Sequence, residues 1–150
     1  IQETPKSIGW PILHELLPGD GFENDELKMT CCRTLHQVPT LAYRITDKHT
    51  KSTIVFSGDT AYCEEVVNLA QGCDILVHEA SLGPQESVVK RSLHSTAEDA
   101  GRAATNAGAG KLILVHMGAE MADKSIQAAK RYFCGEVIWP RPKQRICVNP

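Results

Sequence analysis

The chain lacks any apolar stretch long enough to span a bilayer, which excludes a membrane-crossing helix within it. It also lacks a strong charge balance. The formal net charge is −2 over 150 residues, so no broad electrostatic field draws it to nucleic acid or lipid, although a local basic patch is not excluded. There is no Cys-x-x-Cys pair, and the first residues, Ile1-Gln-Glu-Thr-Pro-Lys6, show neither an initiator Met nor a signal-peptide pattern. Such a start suggests a fragment, a processed chain or a trimmed one. The six cysteines therefore read as mostly reduced, partly buried thiols rather than a disulfide framework, and a cytoplasmic location is the expectation. Cys31 and Cys32, adjacent in an expected strand, should face opposite sides of it. Cys63 is read as filler at a helix start, with a reactive thiol as the alternative.

What is present is a set of apolar runs with chemistry at their ends. Residues 53–57 lead into Gly58-Asp59-Thr60, residues 74–77 into His78-Glu79-Ala80, and residues 111–115 into His116-Met117-Gly118. Short β-branched runs read as strands buried on both faces. The helix-like stretches between them make the strands parallel. Parallel strands send their carboxyl ends to one sheet edge, where ligands bind in open α/β sheets. Upstream, residues 25–34 alternate Leu27, Met29 and Cys31 with Lys28, Thr30 and Cys32, and residues 40–45 form another strand. A polar hairpin loop at 47–52 joins it to the 53–57 strand. Residues 10–17 could hold a short strand before a turn at 18–21. Helices are expected over 64–71, from a Ser95-x-x-Glu98 capping box to 106–108, and over 122–133. In the second of these, Ala100, Gly101, Ala103 and Ala104 permit close packing on the sheet. Closing strands are expected at 136–139 and 145–148. No repeat or domain boundary divides the chain.

Taken singly, the chemical residues have ordinary readings: Asp59 as a turn that caps a helix, His116 as a hydrogen-bonded strand end. Their convergence at one edge changes that. A carboxylate can bridge two cations, and His36, Asp59 and His116 would supply two imidazoles and a carboxylate, enough with a water for one tetrahedral zinc. Glu79 and His94 form a second pair. His94 precedes a helix N-terminus, where a carboxylate partner would support its protonated form, and a Glu-oriented His can protonate a leaving alkoxide. His78 is read as a hydrogen-bonding group behind the site rather than a ligand. His14 and His49 are read as surface residues.

The stretches His36-Gln-Val-Pro-Thr-Leu-Ala-Tyr-Arg-Ile45, Ser57-Gly-Asp-Thr60, His78-Glu-Ala-Ser81, His94-Ser-Thr96 and Leu114-Val-His116 occur in this order. Together they resemble the second half of metallo-β-lactamase-fold hydrolases, in the tRNase Z, phosphodiesterase and arylsulfatase-like branch. The resemblance implies an α/β fold, the C-terminal half of an αββα sandwich, with a mixed sheet and helices on one face. It implies His36, Asp59 and His116 as metal ligands, with Asp59 bridging, and Glu79 and His94 as the acid–base pair. It implies two Zn²⁺ per complete site, with Mn²⁺ or Fe²⁺ accepted by the same donors. The family's His-x-His-x-Asp-His motif is absent, so residues 1–150 are expected to be one partial metallo-hydrolase domain lacking that N-terminal half. The short link between the Tyr43-Arg-Ile45 strand and Gly58-Asp-Thr60, with Met117-Gly-Ala-Glu120 after His116, favours smaller-ester members over tRNA processing. The expected activity is hydrolysis of phosphodiester, sulfate or carboxylic esters by a metal-activated water, complete only with the missing half. The expected partners are a small-molecule or nucleic-acid ester, and either that half or a second copy of the chain. The competing reading is a non-catalytic half-domain that serves as an interaction or oligomerisation module.

Overall fold

The computed structural model describes residues 14–84 and 93–148. Seven strands lie in one sheet in sequence order: β1 (Gly21–Glu23), β2 (Leu27–Arg33), β3 (Leu41–Asp47), β4 (Thr53–Phe56), β5 (Ile75–Glu79), β6 (Lys111–Val115) and β7 (Glu136–Ile138). The first four pair antiparallel and the last four parallel, so the sheet is mixed. The parallel connections run through α1 (Glu64–Leu69), α2 (Ala97–Ala107) and α3 (Ala122–Lys130), each touching the next in one layer.

Alternation along the strands sorts the two faces. Val55, Leu76, Leu112 and Val137 stand in register and bury against Val67, Ala100, Ala104, Ala129 and Phe133 of the helix side. The other face carries Phe22, Met29, Ile45 and Ile54 in register, with Tyr43 opposite Phe56 one step along. It is less covered, and Phe56 is 41% exposed. The chain belongs to the α/β class expected, with helices on one side.

Several elements differ from expectation, each for a local reason. The 145–148 strand is absent. A turn closed by Gln144 N–H on Arg141 C=O, with Lys143 at φ +65°, redirects the tail. Val148 instead lines a cleft with Leu27, Ile45 and Ile54 on the open face, and Lys111 Nζ binds Cys147 C=O. Residues 10–13 of the proposed lead-in strand lie outside the described residues, and 14–17 are not in a strand. The unexpected strand is β1, which forms directly after the Pro18-Gly19 turn. The capping box of α2 is Thr96 with Asp99, one residue on from the expected Ser95 and Glu98. Ser95 Oγ donates to Thr60 C=O, and Glu98 pairs with Arg131. Gly101 serves helix–helix contact rather than the sheet: a Cβ there would lie 2.5 Å from Ala129 C=O on α3.

No disulfide joins the cysteines. Cys31 and Cys32 do face opposite ways, one thiol on Leu17 C=O and the other on Glu65 C=O. Burial pushes the Cys32 thiol up to about 12 and Cys73 to about 11. Iodoacetamide at pH 8 should therefore label exposed Cys134 and Cys147 first, and Cys32 and Cys73 only after unfolding. Early labelling of Cys32, read by mass spectrometry, would contradict that packing.

Candidate metal centre

The site forms where β4, β5 and β6 end. Ser57 N–H donates to Val77 C=O and Glu79 N–H to Ser57 Oγ, which aligns the first two strand ends. The chain then turns at Gly58, with φ +61°, where an added Cβ would lie 2.8 Å from Leu41 C=O. Only glycine suits both conditions. Gly58→Ala should lose on the order of 2–3 kcal/mol of stability from strain and overlap together, read as a lower denaturant midpoint at unchanged slope. A midpoint equal to wild type would show that this turn relaxes freely. His116 also sits at positive φ, +65°, which for a non-glycine residue is uncommon and turns the chain out of β6 at the site.

Asp59, Glu79, His94 and His116 each offer a ligand atom, and these atoms all lie within 4.8 Å of one another. His116 Nδ1 is 3.1 Å from Asp59 Oδ1, and both side chains are nearly half exposed. His36 stands one step further out, in the loop three residues beyond β2. Its ring lies 4.8 Å from that of His94, which in turn lies 5.6 Å from that of His116. All five residues singled out in the sequence are thus brought into one neighbourhood. His78 is not among them. Strand alternation points it to the helix side, where it is 1% exposed and donates from Nδ1 to Glu79 C=O. Burial pushes its pKa down, against the pull of the Glu79 carbonyl. His14 and His49 are exposed, as read.

The hydrogen bonds separate two kinds of carboxylate. Glu79, 1% exposed, accepts from Thr60 N–H and His94 Nδ1 on Oε1, and from Ser81 N–H and Oγ–H on Oε2. Burial alone would raise its pKa; the hydrogen bonds from Ser81, Thr60 and His94 reverse this and hold it below the ordinary glutamate value. Its lone pairs are committed, so it orients His94, at 2.6 Å, and has little left for a cation. Among the described residues Asp59 has no such commitment, its carboxylate pairing with His116 alone.

The tautomers follow from the same bonds. Thr40 Oγ1 donates to Val38 C=O, so His36 Nδ1–H, at 3.4 Å, donates to that hydroxyl oxygen. His36 Nε2 then carries a lone pair. His94 Nδ1–H is spent on Glu79, so neutral His94 also has its lone pair on Nε2. These two nitrogens face each other at 3.3 Å. Two lone pairs repel at that distance, so neither Nε2 finds a hydrogen-bond partner in the other.

The donor set fits a metal. Imidazole nitrogens and carboxylate oxygens about 2.0–2.1 Å from a tetrahedral zinc are separated by roughly 3.3 Å from one another. The Asp59–His116 separation, 3.1 Å, matches that spacing without rearrangement.

Thr60 was missed as a functional residue. It is fully buried, its N–H holds Glu79, its Oγ1 accepts from Leu35 N–H, and its C=O accepts from Ser95 Oγ. One residue thus registers the loops carrying His36, Glu79 and His94. Thr34 does the same for Asp59, donating from Oγ1 to Asp59 C=O at 2.9 Å.

A mixed sheet with helices on one face, its parallel strands delivering Asp, Glu and His to one edge, defines an α/β domain with a candidate metal site at that edge. Comparison with known proteins gives the family. Residues 6–117 match the family described as the beta-lactamase superfamily domain. The metallo-beta-lactamase fold protein YhfI from Bacillus subtilis superposes with a TM-score of 0.71 at 30% identity, covering 81% of this chain and 50% of that one. Human tRNase Z, short form, shares the fold at a TM-score of 0.67 and 23% identity, covering 86% of this chain and 46% of that one. Ribonuclease Z from Ignicoccus hospitalis is 45% identical over 84 residues, 53% of this chain and 28% of that protein. The chain belongs to the β-lactamase superfamily and has the metallo-β-lactamase fold. It spans half or less of the length of these three relatives.

Proposed function

We propose that the chain forms the second half of a metal-dependent phosphodiester hydrolase. The observation that carries this reading is the contrast between the two carboxylates: Glu79 is saturated and grips His94, while Asp59 is open beside His116. His36, Asp59 and His116 would hold the metal, with zinc suited to these donors. When bound, the metal supplies Lewis-acid activation of water and phosphoryl oxygen.

The chain's own residues do the rest. Glu79 fixes the His94 ring by accepting its Nδ1–H, which leaves Nε2 for the site. His94, protonated on Nε2, then donates that proton to the departing oxygen of the ester. Thr60 and Ser81 keep Glu79 ionised and stationary. A nuclease reading is favoured over a carboxylic-ester one by the Ribonuclease Z similarity, against the short connections that argued for small esters.

The test is turnover of bis-p-nitrophenyl phosphate by the full-length protein reconstituted with Zn²⁺ or Mn²⁺. Activity that is lost on chelation and restored by either ion is the expected result. Metal-independent turnover, or turnover of p-nitrophenyl acetate alone, would sink it. The interaction-module reading instead requires full-length protein that takes up no metal.

A further inference from the structure

We propose that Thr60 is the positioning residue that sets the spacing between the metal and the proton donor: its hydroxyl fixes the loop of the metal ligand His36, and its backbone fixes the Glu79–His94 pair. This rests on the hydrolase reading above. Thr60 follows Asp59 and is completely buried. Each of its polar groups reaches a different partner. The N–H donates to Glu79 Oε1 at 2.9 Å, and the C=O accepts from Ser95 Oγ at 2.7 Å. The hydroxyl proton goes to Ala61 C=O, so a hydroxyl lone pair faces Leu35 N–H, at 3.1 Å. Leu35, Glu79 and Ser95 lie 25, 19 and 35 residues from Thr60 along the chain. Glu79 and Ser95 are buried as well, so these bonds do not depend on what covers the open sheet face.

The chemistry makes that spacing matter. A general acid works only within hydrogen-bond reach of the leaving oxygen, and here that oxygen belongs to an ester held at the metal. A misplacement of about 1 Å can cost roughly 10² in rate. His36 and His94 ride on loops, so strand pairing does not set their separation. Thr60 is where the two loops meet. Leu35, bonded to its hydroxyl, is the residue before His36; Ser95, bonded to its carbonyl, is the residue after His94. The two halves of Thr60 separate by mutation. Thr60→Val keeps the shape and both backbone bonds, and Ala61 N–H still donates to Leu35 C=O, so the fold should hold while the position of His36 loosens. Ser95→Ala deletes the donor to Thr60 C=O but keeps Leu82 N–H on Ser95 C=O, so it is the position of His94 that loosens.

The experiment measures metal affinity and leaving-group dependence side by side on the full-length protein. A chromogenic chelator competes for Zn²⁺. At saturating Zn²⁺, kcat is taken with bis-p-nitrophenyl phosphate, whose leaving group needs no proton, and with a dinucleotide, whose leaving alkoxide does. Thr60→Val should bind Zn²⁺ about tenfold more weakly, the usual cost of losing a group that orients a metal ligand. Once loaded, it should keep the wild-type ratio of the two rates. Thr60→Ser, which retains the hydroxyl, should restore the affinity. Ser95→Ala should bind Zn²⁺ like wild type and lose about tenfold on the dinucleotide, with a smaller loss on the p-nitrophenyl ester. Unchanged affinity in Thr60→Val, or the same loss in Thr60→Ser, overturns the proposal. So does an equal loss on both substrates in Ser95→Ala, which marks general loosening rather than a displaced proton donor. Wild type that takes up no Zn²⁺ overturns the hydrolase reading together with this one. Wild type that loads Zn²⁺ and turns over both esters leaves the hydrolase reading standing, whatever the variants show of Thr60.

Discussion

Asp59→Ala should strip the protein of metal and lower kcat for a phosphodiester by roughly 10³ or more. The magnitude follows from the several kcal/mol that a metal supplies to a charged transition state, at about 1.36 kcal/mol per tenfold. Asp59 is the open carboxylate of the cluster, 3.1 Å from His116 Nδ1, and nothing else in the described site offers an uncommitted carboxylate. The fold should survive. The side chain is 44% exposed, and the loop is held by backbone: Thr34 Oγ1 on Asp59 C=O, and Thr60 N–H on Glu79. The variant should therefore melt near wild type when both are metal-free, while elemental analysis finds the metal gone. Metal retained at wild-type stoichiometry would remove Asp59 from the ligand set and leave His36, His94 and His116 as the donors to consider.

The sequence made the site's outline legible because buried parallel strands leave little freedom. Once residues 53–56, 75–79 and 111–115 read as strands in one sheet, their carboxyl ends had to share an edge, and Asp59, Glu79 and His116 came with them. His36 and His94 are different. Both sit in loops: His36 reads as the end of the alternating strand, yet β2 stops three residues earlier at Arg33, and the order of the motifs tied His94 to that edge. What stayed hidden was the hydrogen bonding that holds the loops together. Thr60 follows Gly58-Asp59, a pattern that normally marks an exposed turn, and nothing local says that it will be buried and bonded to Glu79 and Ser95. The capping box fell one residue late because Ser95 was drawn off to Thr60, a tertiary contact that outweighs local spacing. Residues 145–148 have strand composition but follow a left-handed Lys143, so they cross a face instead of extending the sheet.

His94→Ala should lower kcat by roughly 10²–10⁴ and leave metal content unchanged. The loss is that of a proton donor held in place, and the structure shows what holds it. Glu79 takes His94 Nδ1–H at 2.6 Å and is itself fixed by three further donors, two from Ser81 and one from Thr60. Glu79→Gln tests the same assembly from behind. The amide keeps the shape but removes the charge that faces His94 Nδ1–H, and it places an NH₂ group against donors. It should lower kcat less than the His94 change, and the double variant should be little worse than His94→Ala alone, since the two residues act as one unit. The effect should shrink for a substrate whose leaving group needs no proton. With p-nitrophenolate departing, His94→Ala should cost far less than with an unactivated dinucleotide. The 3.3 Å gap between His94 Nε2 and His36 Nε2 allows one competing assignment, a cation shared by both rings. Metal content decides between them: if His94→Ala loses metal along with activity, and equally for both leaving groups, His94 is a ligand and the proton must come from elsewhere.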